Sequence, residues 1–333
     1  MNLRSSTSRN WLILSAIAVP MVLLDLLSGQ ANAQAPAQVK IIVGFAPGGG
    51  TDLIARILAE KMRESLAGGT QIVVENKAGA GGKIAVDALR ASSSDGGAIL
   101  LAPLVTPVMS QLTFKNPGFD PAKDMTPIGM VGHSQFALAV TAQHPAKTMP
   151  EFVNWLKANP KKANFGTASA GSLPHFFGVM LGNAIGVGME HVAYKGGTPM
   201  LNDLMGGQIP CGIDTDIVLI ELHKSGKIRI LASFAESRSS LIPEVPTMAE
   251  LGYKNATASG WYSMWAPAKT PAATVLALNK ALNFALSNAD VSQKLARIGV
   301  DPAMSTPEGL EKLRAAEIEK WRPVIAASGF KAE

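Results

Sequence analysis

The chain has 333 residues, with 30 Lys+Arg against 25 Asp+Glu, one Cys, 32 Gly and 21 Pro. Apolar residues at 47% exclude a disordered chain, and the length suffices for two core-forming lobes or one large α/β domain. The single Cys excludes an internal disulfide, an iron–sulfur cluster and a multi-Cys zinc site, and 17% charged residues with no Lys/Arg cluster argue against nucleic acid.

Arg4 and Arg9 precede an apolar stretch from Trp11 to Leu24, interrupted by Ser15 and Pro20. Ser28-Gly29-Gln30 breaks it, and Ala31-Asn32-Ala33 forms an A-x-A cleavage signature. This is the order of a secretory signal peptide over 1–33, with cleavage after Ala33. A membrane anchor needs about 20 apolar residues, and Asp25 cuts this run short. The separated arginines do not match a twin-arginine signal, and no Cys near the cleavage point offers a lipid anchor. The expected product is a periplasmic protein. Removing Arg4, Arg9 and Asp25 leaves 28 basic and 24 acidic side chains, net +4.

Ile41-Ile42-Val43-Gly44-Phe45 reads as a buried strand running into a tight loop, Ala46-Pro47-Gly48-Gly49-Gly50. Thr51 or Asp52 is suited to cap the following helix, whose core face is Ile54, Ile57, Leu58, Met62 and Leu66. Gly68-Gly69 ends it. Ile72-Val73-Val74 is a second strand, followed by the glycine loop Gly79-Ala80-Gly81-Gly82, a helix over 83–91 and a strand over 99–102. This βαβαβ order implies a parallel sheet with right-handed crossovers. The alternation resumes with strands over 136–140, ending at Phe165-Gly166, and over 191–194, 211–213 and 228–232. Helices start at Pro150, near Pro174 and at Pro199. Thr270-Pro271 and Thr306-Pro307-Glu308 each read as a cap followed by Pro at the first helical position of a closing amphipathic helix.

Two loop-to-helix junctions are the most informative features. Each presents small residues where a strand gives way to a helix start. Free backbone N–H groups and about half a positive charge from the helix dipole make such a place an anion site. Glycines at 48–50 let a ligand approach the backbone closely, and Ser169 and Ser172 add hydroxyls in Thr167-Ala168-Ser169-Ala170-Gly171-Ser172. Read alone, either loop is as well explained as a tight turn.

Competing chemistries match less well. A dinucleotide fingerprint fails because the third position from Gly44 is Ala46. A serine-hydrolase elbow is half complete, with Gly171 after Ser169 but Thr167 before it. The histidines at 133, 144, 175, 191 and 223 show no zinc spacing, so no metal and no cofactor is implied. Cys211 reads as a small buried hydrophobe, and Trp261, Tyr262 and Trp265 either line a cleft or, as the favoured reading, pack a crossover strand. Asp214 and Asp216 follow a strand end, where one could cap the next helix or face a cleft and order a water.

An ordered set of segments now resembles one family: Phe45-Ala46-Pro47-Gly48-Gly49-Gly50-Thr51-Asp52, Val74 to Gly82, Asp120 to Asp124, Tyr194-Lys195-Gly196, Pro243 to Thr247, Gly260-Trp261-Tyr262 and Trp321 to Ile325. With the export signal, it resembles the Bug family of extracytoplasmic solute receptors, binding components of tripartite tricarboxylate transporters, from about residue 39 to 330. The resemblance implies an α/β, two-lobe periplasmic-binding-protein fold of type II, each lobe a mostly parallel sheet flanked by helices. It implies lobes over 35–134 plus 262–333 and over 137–258, with crossover hinges near 133–138 and 258–264. It also implies a small organic carboxylate as ligand, membrane permease subunits as partners, and a monomer. The ligand-binding positions carried over are Phe45, Ala46, Gly49, Gly50, Thr51 and Asp52 in the first lobe. In the second they are Ser169, Ala170, Gly171 and Ser172, with Asp214 orienting a water. Ala102 to Val105 is more apolar than the family's usual loop, leaving Thr106 as its polar contact, so a less polar or aromatic acid is expected. The alternatives are a periplasmic hydrolase-like enzyme using Ser169 or a histidine, and a receptor feeding a sensor kinase.

Overall fold

The computed structural model describes Met1 and residues 37–66, 69–194 and 197–331. The signal-peptide expectation over 1–33 lies outside the described residues, as do Gly68, Lys195 and Gly196. Strand β1 (Gln38–Val43), helix α1 (Gly50–Ser65), β2 (Gln71–Asn76), α2 (Lys83–Arg90) and β3 (Ala98–Pro103) alternate along the chain. The β-branched run Ile41-Ile42-Val43 is buried on both faces, as a central strand of a covered sheet requires. β1 pairs in parallel with β2 on one side and β3 on the other.

Short helices α3 (Ser110–Thr113) and α4 (Pro121–Asp124) lead into β4 (Met125–Ser134). β10 (Gly260–Pro267) lies antiparallel between β3 and β4, and β11 (Val300–Pro302) pairs with β4 at the edge. The first sheet therefore runs β11-β4-β10-β3-β1-β2. The second contains β5 (Phe136–Thr141), β6 (Asn164–Thr167), β7 (Glu190–Ala193), β8 (Gly212–Thr215) and β9 (Ile228–Ser233), in the order β7-β6-β8-β5-β9. Helices α5 (Met149–Ala158), α6 (Leu173–Ile185), α7 (Gly197–Met205) and α8 (Asp216–Lys224) alternate with those strands. After β10 come α9 (Ala272–Leu286) and α10 (Ala289–Arg297), then β11 and α11 (Pro307–Ser328).

Two lobes result, but their sheets are mixed, not mostly parallel. β6 is parallel to β7 and β8, while β5 is antiparallel to β8 and β9. The reason is the crossover: β4 leaves the first sheet and becomes β5 of the second after one residue, Gln135, so β5 enters against its neighbours. Gln135 is tied to both sides. Its Nε2 donates to Asp301 Oδ2 beside β11 at 2.7 Å, and its carbonyl accepts from the Asp216 N–H at 3.1 Å.

Three apolar clusters hold this frame. Ile41, Ile54, Leu58, Leu101, Met264 and Leu282 pack one face of the first sheet. Ala137, Met200, Leu204, Leu219 and Ile230 pack the second. A larger cluster includes Leu100, Leu104, Phe165, Phe176, Phe177, Trp261, Trp265 and Trp321 and joins residues of both sheets. Removing each such side chain from water contributes about 1.5–3 kcal/mol.

Helix starts follow local chemistry with two corrections. Thr306 caps α11 by accepting the Gly309 N–H at 3.0 Å, with Pro307 at the first helical position. At α9, however, Pro271 itself flanks the helix and Thr270 donates to the Pro267 carbonyl at 2.8 Å. At α1 the flanking residue is Gly49, not Thr51 or Asp52. Asp52 lies at the third helical position and reaches back to the Gly48 N–H at 2.9 Å.

Candidate functional site

Because β1, β2 and β3 are parallel, the loops after them leave from one edge of the first sheet. In open α/β sheets ligands bind beyond this edge. The first loop runs into α1. Ala46 to Gly50 are exposed, whereas Thr51 and Asp52 are buried and Phe45 is half-buried. The N–H groups of Gly50, Thr51 and Asp52 have no acceptor among the described residues. Gly48 donates to Asp52, and Gly49 donates to the Ala46 carbonyl at 3.3 Å. The open donors of this junction are therefore the first residues of the helix, while the Gly49 amide serves the turn.

Asp52 is the hub of that loop. Its Oδ2 accepts from Gly48 N and from Arg56 Nε, both at 2.9 Å. Its Oδ1 accepts from Arg56 at 3.0 Å and from Asn76 Nδ2 at 3.0 Å. Asn76, at the end of β2, also donates to the Phe45 carbonyl at 3.1 Å. The Arg56 hydrogen bond brings the Asp52 carboxyl down to about 2, against the opposing effect of burial. An acid so engaged is ionised, and it holds the loop from behind.

Thr106 lies after β3, where the chain makes a π-turn over Val105–Met109. It is 1% exposed, and its Oγ1 has no hydrogen-bond partner among the described residues. The Tyr262 hydroxyl lies 3.8 Å from where a Cβ would stand on Gly50. The sequence favours packing for Tyr262 and leaves a cleft-lining role as the alternative.

The second lobe repeats the plan. β6, β7 and β8 are parallel, so the loop after β6 and the end of β8 share an edge. Ser169 and Ala170 are exposed, and Gly171 and Ser172 half-buried. Ser172 flanks α6, and its hydroxyl donates to the Ser169 carbonyl at 2.8 Å. Thr167 Oγ1 donates to the same carbonyl at 3.0 Å and lies 2.7 Å from His191 Nε2. With that hydroxyl proton committed, His191 donates through Nε2. His175 Nδ1 accepts the Gly171 N–H at 3.2 Å, and the two imidazoles stack at 3.9 Å. Burial, then the neighbouring His175, takes the His191 pKa down to about 4. Both rings belong to the support of the loop. Asp214 stands at the end of β8, 3.4 Å from a Cβ position on Gly197, and burial raises its pKa.

Arg56, Asn76, Thr167, His175 and His191 were not singled out from sequence as site residues. The Asp52–Arg56 spacing of four is a readable helical pair. The partners of the others come from distant strands and carry no local signal.

Two lobes joined by crossover strands, each with a helix start open at its strand-end edge, define a solute-binding protein of the periplasmic type. The tripartite tricarboxylate transporter family receptor profile matches residues 54–330, and the chain belongs to this family. Protein BugT of Bordetella pertussis is 33% identical over 294 residues, 88% of this chain and 90% of its own length. The structure of the periplasmic binding protein BugD superposes with a TM-score of 0.72 at 32% identity, covering 89% of this chain and 99% of BugD. That of an R. palustris protein with adipate gives a TM-score of 0.76 at 29% identity, covering 88% and 98%. The protein is thus a periplasmic solute receptor and not an enzyme.

Proposed function

We propose that the receptor captures a small organic carboxylate between its lobes and delivers it to the integral membrane subunits of a tripartite transporter. The lobes are taken as 35–134 plus 262–333 and 137–258, turning about 133–138 and 258–264. The observation that carries the reading is the set of unpaired N–H groups of Gly50, Thr51 and Asp52 at an exposed helix start. They suit one carboxylate end, with Phe45, Ala46 and Gly49 shaping the turn around it. The Ser169–Ser172 loop takes the other side, with Asp214 ordering a water. The relative with adipate supports the ligand class. Closure follows because contacts to both lobes exist together only in the closed state.

Thermal shift of the mature chain with adipate, malate, citrate and benzoate tests this. A binder at a hundredfold its Kd stabilises the protein by about 2.7 kcal/mol. At least one of these acids is expected to raise the melting temperature, with benzoate at least matching citrate and malate because the segment Ala102 to Val105 is apolar. No shift with any acid overturns the ligand class. Citrate or malate far ahead of benzoate overturns the preference for a less polar acid.

A further inference from the structure

The second-lobe loop is backed by a ring from the far end of the chain. Gly171 adopts φ +70°, and a Cβ built on it would lie 2.5 and 2.6 Å from ring carbons of Phe330. Phe330 follows α11, whose Gly329 takes the left-handed cap conformation. The Phe330 N–H donates to Ser328 Oγ at 3.1 Å, and that hydroxyl donates to the Ile325 carbonyl at 2.7 Å. The turn that aims the ring is therefore itself hydrogen-bonded. The ring meets His175 edge-on, with centroids 5.6 Å apart and planes at 86°, and Phe176 at 6.0 Å. His175 in turn accepts the Gly171 N–H.

We propose that Phe330 is a positioning residue of the ligand site, seating the Ser169–Ser172 loop by packing on the bare Cα face of Gly171 and the edge of His175. The inference rests on that loop being the second half of the carboxylate grip. Ser169 and Ala170 are exposed and bring the loop no burial of their own. A segment with few buried contacts opens at low cost. The ring supplies what the loop lacks, and by excluding water it strengthens the bond from Gly171 to His175. Glycine is required at 171 twice over, for its backbone angle and for the closeness of the ring.

Hydrogen exchange of the full mature chain, read over 167–178 without ligand, tests the placement, and calorimetry with adipate tests its consequence. Phe330→Ala should speed exchange of the Gly171 amide by about tenfold and leave 45–52 unchanged. Phe330→Met, which keeps apolar bulk, should restore most of the protection. Phe330→Tyr, which adds a hydroxyl on the ring carbon nearest Gly171, should not. Gly171→Ala should loosen the loop through both its backbone angle and the ring clash, and combining it with Phe330→Ala should loosen the loop by less than the two single effects summed, since the ring contact can be lost only once. Unchanged exchange in Phe330→Ala, or effects that simply add, overturns the proposal. So does adipate affinity that falls with loop exchange unchanged. If exchange responds as expected but wild-type protein ignores adipate, the positioning stands and adipate is not the ligand.

Discussion

At the first helix start the loop is fastened by a buried carboxylate that gathers Gly48, Arg56 and Asn76; at the second it is fastened by neutral rings, His191, His175 and Phe330. The first leaves the N–H groups of Gly50, Thr51 and Asp52 without acceptors among the described residues and is braced by a charge, whereas stacking and burial brace the second. The contrast teaches that an open helix start does not prescribe its own support. It also separates the two grips in pH. Asp52 ionises at about 2 in the fold against 3.8 ordinarily. Its contribution is complete above 3.8, because only the unfolded chain takes up the proton between those values, and it is lost as pH falls through about 2. His191 titrates at about 4 against 6.5. The unfolded chain is protonated first, so its contribution is complete above 6.5 and declines as pH falls to 4. Acid therefore loosens the second grip before the first.

The largest effect is expected from breaking the charged hub. Asp52→Ala deprives Gly48, Arg56 and Asn76 of a shared acceptor and should lower stability by about 2–3 kcal/mol, read as a lower urea midpoint at unchanged slope. Asp52→Asn should lose less, because one acceptor oxygen remains. A wild-type midpoint in Asp52→Ala would mean that the first loop, like the second, is held by packing.

A smaller effect should appear on acid titration. Between pH 6.5 and 4 His191 makes stability fall as pH falls, so His191→Gln should remove at most about one proton from the pH slope of the wild type. Asp52→Asn should leave that window alone and change the curve below 3.8. His133, His144 and His175 are also depressed by burial and add to that slope, whereas burial raises Asp216 to about 6 and raises Asp214 and Glu317, which oppose it. An identical slope in His191→Gln would remove the acid-sensitive half of the comparison.

How much of this was legible in the sequence follows from how local each feature is. The strand–glycine loop–helix junctions at 41–52 and 165–174 are written in adjacent residues, and at the first the core face of the helix is legible as well. Mixed strand direction was not, because the sense of β5 depends on where β4 came from. Asp52 is legible as a helix-start acid, but its bond to Asn76, 24 residues away, has no local signal. Phe330 lies 159 residues from Gly171, and no spacing rule connects them. The loop-to-helix junctions are legible as backbone chemistry, whereas their supports are products of tertiary packing.

The smallest change in stability should come from the residue that neither support engages. Thr106 is buried with its hydroxyl unpartnered, and an unmet buried polar group costs about 1–3 kcal/mol. Thr106→Val removes that cost but places a bulkier methyl where Oγ1 now stands, against the bare backbone of Gly82, on which an added Cβ would lie only 2.7 Å from that position. The two effects oppose, so the urea midpoint should move by less than about 1 kcal/mol in either direction. Binding separates two roles for the hydroxyl. If it is held unpaired in order to meet the ligand, calorimetry with the acid giving the largest thermal shift should show about tenfold weaker binding at nearly unchanged stability. Unchanged affinity would leave the first-lobe grip to the amides of Gly50, Thr51 and Asp52 alone.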